Sequence, residues 1–185
     1  MQGSLFPRGV VEGRKDLTEY RSGGGYNGLE KALKGMTPET LIREINESGL
    51  RGRGGAGFPT GKKWAITQEC SEQPHYVVLN GGEDEPGSKK DRLLMENLPH
   101  LVIEGVILAS YAVGASKAYL YINSQYKTAR DSMAQALMEA QEAGYWGEKI
   151  LGSNFSLEIV FVAAPPNYVA GEDSAALEVI ENKQP

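Results

Sequence analysis

The chain of 185 residues has a formal net charge of -5, with 41% hydrophobic and 23% charged residues, which is ordinary for a globular domain. It lacks the clustered basic face that nucleic-acid binding needs, so no nucleic-acid partner is expected. A single cysteine, Cys70, excludes an internal disulfide and a four-thiolate cluster within this sequence, and with two histidines no metal site is predicted. The longest apolar run, residues 101–113, is interrupted by Glu104 and too short to span a bilayer, so no direct membrane insertion is expected.

The first 36 residues are polar and rich in glycine. We interpret residues 1–36 as an arm that packs along a neighbouring surface and contains a short helix at residues 29–34. Thr37 followed by Pro38 is typical of a helix N-cap and first turn. The apolar spacing after them predicts a helix that ends at Gly49.

Three apolar runs predict buried strands, at residues 76–79, 118–122 and 157–162. Helical patterns accompany them at residues 91–95, 99–113, 126–143 and 174–181. This alternation predicts an α/β fold with a mainly parallel sheet and flanking helices. Ligands bind beyond the carboxyl ends of such strands, which directs attention to the loops at residues 80–87 and 168–173.

The densest glycine stretch, residues 52–61, follows the predicted helix that ends at Gly49. Glycines let backbone amides approach phosphate oxygens, and Arg53, Lys62 and Lys63 add positive charge. The spacing fits neither the strand–G-x-G-x-x-G–helix fingerprint nor the phosphate loop G-x-x-x-x-G-K-[ST]. The stretch is therefore either a phosphate-binding loop or a flexible surface loop with solvated cations.

Carboxylates crowd both loops that follow strands. Residues 83–85 are three successive acids near Asn80, and they are either a solvated turn, acceptors for ribityl, ribose or amide groups, or ligands for Mg²⁺. Glu172 and Asp173 stand at a predicted helix start, where complementing the helix dipole would explain them without a ligand. No nucleophile or acid–base set is evident, so no catalytic residue is predicted.

Three segments together resemble the flavin-bearing, NADH-binding subunit of respiratory complex I, the 51 kDa or F-type subunit. They are SGLRGRGGAGFPTGKKW at residues 48–64, NGGEDEPG at residues 80–87 with KDR at residues 90–92, and YVAGEDSA at residues 168–175. The resemblance runs from about Tyr20 to Lys183. Flavin subunits of NAD-reducing hydrogenases and NAD-dependent formate dehydrogenases share these motifs.

This resemblance implies a Rossmann-like FMN-binding domain over residues 37–185, which we expect to be truncated at its C-terminal end, behind the arm of residues 1–36. The residues that would hold FMN are Gly52, Arg53, Gly54, Lys63, Asn80, Glu83, Tyr168, Gly171, Glu172 and Asp173. Those that would face NADH are Phe58, Lys63, Glu85 and Glu172. Three positions depart from the family motifs: Gly82 replaces an aspartate expected to hydrogen-bond the flavin, Ala170 a cysteine and Asp173 a glutamate.

The resemblance also implies the chemistry: hydride passes from NADH to FMN, and electrons continue to iron–sulfur clusters and ultimately a quinone. The family's [4Fe–4S] cluster is expected only in full-length members, because its cysteine ligands are absent here. Partners would be NADH and other subunits of a complex I-like or NAD-linked redox complex. The expected location is cytoplasmic, or peripheral on the cytoplasmic or matrix side of a membrane complex. The alternatives are a non-catalytic truncated nucleotide-binding module and the flavin subunit of a hydrogenase or formate dehydrogenase.

Overall fold

The structure, a computed structural model, describes residues 16–166 and 168–183. It confirms the predicted α/β class, with three parallel strands in the order β1-β2-β3: β1 (Tyr76–Gly81), β2 (Lys117–Asn123) and β3 (Glu158–Ala164). The helices are α1 (Leu17–Ser22), α2 (Asn27–Gly35), α3 (Pro38–Glu47), α4 (Thr60–Glu69), α5 (Lys90–Asn97), α6 (Pro99–Val113), α7 (Lys127–Glu142) and α8 (Asp173–Ile180). Two 3₁₀ turns lie at Ile150–Gly152 and Tyr168–Gly171.

The central strand β2 packs against other elements on both faces, while β1 and β3 are largely half-buried. On one face, fully buried Leu120 and Ile122 of β2 share a core cluster with Ile107 of α6 and Met133 of α7. On the other face, Tyr121 packs in a smaller cluster with residues of β3 and α8. This layering fixes the strand ends, from which the loops of the candidate site extend.

Residues 17–35, which fall in the predicted arm, form α1 and α2, so the helix predicted at residues 29–34 is confirmed and begins at Asn27. Tyr26, Leu29 and Ala32 are fully buried against the rest of the molecule. Residues 1–15 lie outside the described residues, and the boundary between an arm and a domain at residue 36 stays a prediction.

Helix α4 is not predicted by the pattern of the sequence. Its N-cap residue, Pro59, makes no side-chain capping hydrogen bond, and glycine in the first turn disfavours a helix. Gly61 is nevertheless needed there, because a Cβ on it would lie 2.7 Å from the backbone nitrogen of Asn46 in α3. This glycine therefore serves close packing between two helices rather than a ligand.

Within the part of the chain that the structure describes, no single helix is long and apolar enough to cross a membrane; α5 and α6 meet that test only as a pair bent by 103°.

Candidate functional site

The glycine stretch and the two acidic loops meet in one cleft of about 910 Å³ at the carboxyl end of the sheet. Most residues predicted to hold FMN or NADH line it: Arg53, Gly54, Asn80, Glu83, Glu85, Tyr168, Gly171, Glu172 and Asp173. Gly52, Phe58 and Lys63 do not line this cleft. Lys63 lines an adjoining, more apolar cleft of about 550 Å³, which shares Asn80 and Asp173 with the first. The loops therefore converge as the parallel sheet predicts, while the three exceptions lie outside the cleft.

The loops after β1 and β3 are fastened to each other. The Asn80 side chain donates to the Gly171 carbonyl at 2.8 Å and accepts from the Gly82 amide at 3.1 Å. Tyr121 donates to the Ala170 carbonyl at 2.9 Å. A Cβ on Gly171 would lie 2.6 Å from the Gly82 carbonyl oxygen, so the approach of the two loops requires glycine. These contacts within the protein therefore fix the relative position of the two loops that form the floor of the cleft.

The glycine loop is closed at its base. Gly52 N donates to Phe58 O at 2.9 Å, and the Arg51 guanidinium donates to the Gly57 carbonyl at 3.1 Å. Within residues 16–166 and 168–183, the amides of Gly54 and Gly55 donate to no protein acceptor. Two amides at the tip of a tied loop are available to an anion, as the phosphate-binding interpretation requires.

The Glu83 carboxylate has a structural role at the start of α5. Glu83 is 7% exposed, and it caps the start of α5 by accepting from Ser88 Oγ at 2.5 Å, Asp91 N at 3.2 Å, Arg92 N at 3.2 Å and Lys90 Nζ at 3.4 Å. Burial opposes ionisation, but these bonds outweigh it and lower the pKa of Glu83. Glu83 therefore borders the cleft while its carboxylate is fully engaged.

Two other acids of the cleft are likewise occupied. Asp91 Oδ2 accepts a hydrogen bond from Lys90 Nζ at 2.5 Å. Burial disfavours charge on both groups, yet this pairing raises the pKa of Lys90. Glu172 caps α8 through the hydroxyl and amide of Ser174 and the amide of Ala175, and these bonds lower the pKa of Glu172. The helix-start interpretation of Glu172 is therefore correct as local structure.

Two residues predicted to contact the cofactors, Tyr168 and Glu85, lie together at the rim of the cleft. Tyr168 is 67% exposed, and the Glu85 carboxylate near its hydroxyl raises the pKa of Tyr168. Phe58, predicted to face NADH, is 44% exposed and stands outside the cleft. These aromatic side chains are open to solvent, where a planar ring can stack on them.

Asp84 is one of the three successive acids that the sequence offers as possible ligand acceptors, although the family resemblance does not assign it to FMN or NADH. The fold leaves this acid partly unsatisfied. Its Oδ1 accepts from Asn123 Nδ2 at 2.7 Å, whereas its Oδ2 is buried without a hydrogen-bond partner among the described residues. Ser88 and Lys90 also line the cleft unforeseen. Adjacency to Glu83 is the only sequence signal for Asp84, and it does not distinguish a capping acid from a free one.

The positively charged side chains of the cleft also differ in whether the protein supplies them with a partner. Lys90 is paired with Glu83 and Asp91, whereas Arg53 forms no salt bridge with any residue the structure describes. Among those residues, no three histidine, cysteine, aspartate or glutamate side chains are grouped to hold a metal ion. Arg53 and the glycine amides together suit an anion.

Comparison with known proteins agrees with the motifs. Residues 45–185 match the sequence model of the Nuo51 FMN-binding domain. The F 2 subunit of the NADH-quinone oxidoreductase of Rhizobium meliloti (strain 1021) is 46% identical over 168 residues, which are 91% of this chain and 40% of that protein. The corresponding F subunit of Escherichia coli (strain K12) is 40% identical over 169 residues, 91% of this chain and 38% of that protein. The chain thus spans about two fifths of the length of these relatives.

A solved structure is similar as well. The NAD⁺-reducing [NiFe]-hydrogenase in its air-oxidised state aligns with a TM-score of 0.64 and 36% identity, covering 79% of this chain and 24% of that chain. The same type of enzyme in its H₂-reduced state gives a TM-score of 0.62 at 31% identity, over 84% of this chain and 28% of that chain.

Proposed function

The chain belongs to the Nuo51 FMN-binding domain family, and from that premise we propose that its cleft binds FMN and presents it to NADH for hydride transfer. In this proposal the chain is part of the flavin subunit of an NADH:quinone oxidoreductase. Its similarity to F subunits over 91% of its length supports the assignment. Its partners would be other subunits of that complex, and its place peripheral on the cytoplasmic or matrix side of a membrane.

The observation that carries this proposal is a group of anion-binding donors in the cleft for which the described residues supply no acceptor. Arg53, Gly54 and Gly55 line the same cleft as the acidic loops, and among the described residues the two glycine amides have no protein acceptor. Backbone amides and a planar guanidinium together suit a phosphate. The cleft volume of about 910 Å³ is in the range of cofactor pockets, roughly 300–1,000 Å³.

In this arrangement the chain positions its ligands rather than taking part in bond making. Asn80 and Gly171, joined by a hydrogen bond, form a wall, and Tyr168 with Glu85 forms a rim beside which a nicotinamide can lie. Lys63 and Phe58, outside the cleft, would contact the remote part of NADH. Bound FMN would supply the hydride acceptor, and the protein's contribution is proximity and orientation. Electrons would leave to a [4Fe–4S] cluster in polypeptide outside this chain.

The test is a titration of the chain with FMN and with riboflavin, followed by flavin fluorescence. We expect saturable quenching by both, with FMN the tighter ligand because only FMN carries a phosphate. Arg53→Ala should weaken FMN roughly tenfold or more, the worth of one charged hydrogen bond, and leave riboflavin unchanged. Arg43→Ala, which removes the same charge from an exposed position of α3, is the matched control and should change neither.

Two outcomes would overturn the proposal: no saturable binding of either flavin, or equal losses in the Arg53 and Arg43 variants. Adding NADH to the FMN-loaded chain then separates the catalytic proposal from a non-catalytic nucleotide-binding module. Bleaching of the flavin's visible absorbance supports the first, and binding without bleaching supports the second.

A second candidate is the flavin subunit of an NAD⁺-reducing hydrogenase, which the structural similarity at 36% identity favours. The cleft chemistry is the same in both cases, so the discrimination lies in the partners. Purification of the complex from its source would resolve it, since a nickel–iron subunit would accompany the chain in one case and quinone-reducing subunits in the other.

A further inference from the structure

The loop that follows β1 is fastened to the turn between β2 and α7, residues 123–126. The Tyr126 hydroxyl donates to the Glu83 carbonyl. At the next residue of the loop, Asp84 Oδ1 accepts from Asn123 Nδ2 at 2.7 Å. Two successive residues of the loop are therefore tied to one turn, one through the backbone and one through a side chain.

The turn is braced by its own contacts. Tyr126 N donates to Asn123 O at 3.1 Å, and Gln125 N donates to Asn123 Oδ1 at 2.9 Å. The Arg92 guanidinium of α5 lies 5.5 Å from the centre of the Tyr126 ring, within reach of a cation–π contact. Burial raises the pKa of Tyr126 and the nearby carboxylates raise it further, so the phenol stays a donor at neutral pH.

The turn acts on the cleft from outside it. Neither Asn123 nor Tyr126 lines the cleft of about 910 Å³, whereas Gly82, Glu83 and Asp84 do. The loop's fastenings to the start of α5 and to the loop after β3 are made by side chains of residues that line the cleft themselves. Deleting the Tyr126 hydroxyl therefore loosens the loop and leaves every residue of the cleft lining unchanged.

The position of the loop bears directly on affinity. A site formed partly by a loop binds its ligand only while the loop is in place, so the apparent affinity falls with the fraction of molecules in that state. Without the Tyr126 hydroxyl, the Glu83 carbonyl loses its donor from the turn. The tied state of the loop then loses the contribution of one neutral hydrogen bond.

We propose that Tyr126 is a positioning residue for the flavin, whose hydroxyl keeps the loop after β1 in the place that the occupied cleft requires. This inference rests on the proposed function and adds to it a residue that lies outside the cleft and acts through the Glu83 carbonyl.

Tyr126→Phe tests the inference, because it removes the hydroxyl and keeps the ring. In the fluorescence titration, the affinities for FMN and for riboflavin should fall together, by roughly three- to tenfold. Tyr111→Phe is the matched control. The Tyr111 hydroxyl also donates to a backbone carbonyl, that of Met36 at 2.7 Å, and Tyr111 is likewise half-buried and lines neither cleft. It should leave both affinities unchanged.

A second readout separates positioning from a general role in the fold. Urea denaturation should show similar losses of stability in the two variants, since each loses one hydrogen bond to a carbonyl. The visible circular dichroism of the bound flavin, recorded at saturation, reports the geometry around the ring. It should change in Tyr126→Phe and stay as in wild type in Tyr111→Phe.

The inference is overturned, with the proposed function intact, if Tyr126→Phe binds both flavins as the control does and gives the same flavin signal. A loss confined to FMN overturns it too, because a displaced loop affects both ligands. A Tyr126→Phe chain that does not fold would show that the hydroxyl serves the whole fold rather than the cleft. Failure of the wild-type chain to bind either flavin would overturn the proposed function and the inference with it.

Discussion

Two carboxylates of this molecule, buried Glu104 in α6 and half-buried Asp84 in the cleft, differ in how far the fold satisfies their oxygens. Glu104 Oε2 accepts from the Tyr20 hydroxyl at 2.5 Å and the Tyr26 amide at 2.9 Å, and its Oε1 accepts from Leu29 N at 3.1 Å. Asp84 has a protein donor for one oxygen only. A carboxylate that the protein satisfies on both oxygens fixes the fold, whereas Asp84 fastens the cleft loop to β2 through one oxygen only.

The surroundings of Glu104 extend this contrast. The Tyr26 hydroxyl lies 3.0 Å from His100 Nδ1, and His100 Nε2 lies 3.0 Å from Glu139 Oε2, which also accepts from the Leu17 amide at 3.2 Å. Burial, with the neighbouring Glu104, raises the pKa of Tyr26 far above its ordinary value, so the phenol stays protonated. This network fastens α1 and α2 to the core.

The largest effect should come from Glu104→Ala. The variant leaves the Tyr20 hydroxyl and two helix-start amides without an acceptor, so the free energy of unfolding should fall by about 3 kcal/mol or more. Urea denaturation measures it. Glu44→Ala, whose partner Lys31 is exposed, is the control and should change by less than about 1 kcal/mol. A loss in Glu104→Ala no larger than in the control would contradict the structural role.

Gly171→Ala should be the most damaging single change within the cleft. Its Cβ would lie 2.6 Å from the Gly82 carbonyl oxygen, so the two loops must separate. We expect a loss of roughly 1–3 kcal/mol in the free energy of unfolding together with loss of flavin quenching. Gly105→Ala in α6, where a Cβ meets nothing within 4 Å, is the control and should be neutral or stabilising. Normal FMN affinity in Gly171→Ala would show that the loop contact does not shape the site.

Glu83→Gln should alter the dependence of stability on pH. The pKa of Glu83 in the folded chain lies below its ordinary value of 4.5, so ionised Glu83 stabilises the fold above that pH. This contribution is lost as the pH falls through the lowered pKa. The variant should be less stable than wild type by roughly 1–2 kcal/mol at neutral pH, and the gap should close in acid. A constant gap between pH 7 and pH 3, measured by urea denaturation, would contradict the capping role.

The smallest effect should come from Gly82→Asp, which introduces the aspartate that the family resemblance leads us to expect at this position. The new Cβ would contact the Tyr121 ring at 3.1 Å and Asn80 Oδ1 at 3.3 Å, so neighbours shift only slightly. We expect equal or tighter FMN binding in the fluorescence titration, because a hydrogen bond to the flavin is regained. Weaker binding would mean that this chain positions flavin differently from its family.

The sequence predicted the elements whose patterns are local. Uninterrupted apolar runs marked the strands, and the apolar stripe through Met133 and Leu137 marked α7. It missed α4, because Gly61 and an N-cap without a side-chain acceptor hide a helix that forms through packing against α3. Tertiary contact outweighed local preference there.

The location of the cleft was predictable in the same way, since the loops at the carboxyl ends of parallel strands had to meet. Which acid does what was not predictable. Glu83 caps a helix that begins at Lys90, whereas Asp84 extends toward Asn123 of another strand. The partners of Glu83 lie only a few residues further along the chain, whereas Asn123 comes from a distant strand. The succession of three acids contains no signal for either choice.

The most direct test of flavin binding between the glycine loop and the acidic loops is a titration of the ¹⁵N-labelled chain with FMN, followed by amide chemical shifts. Binding in the cleft predicts saturable changes at Gly54, Gly55, Asp84 and Gly171, with little change around Glu104. Changes centred instead on the adjoining apolar cleft by Trp64 and Leu101, or no saturable change anywhere, would contradict this placement of the flavin.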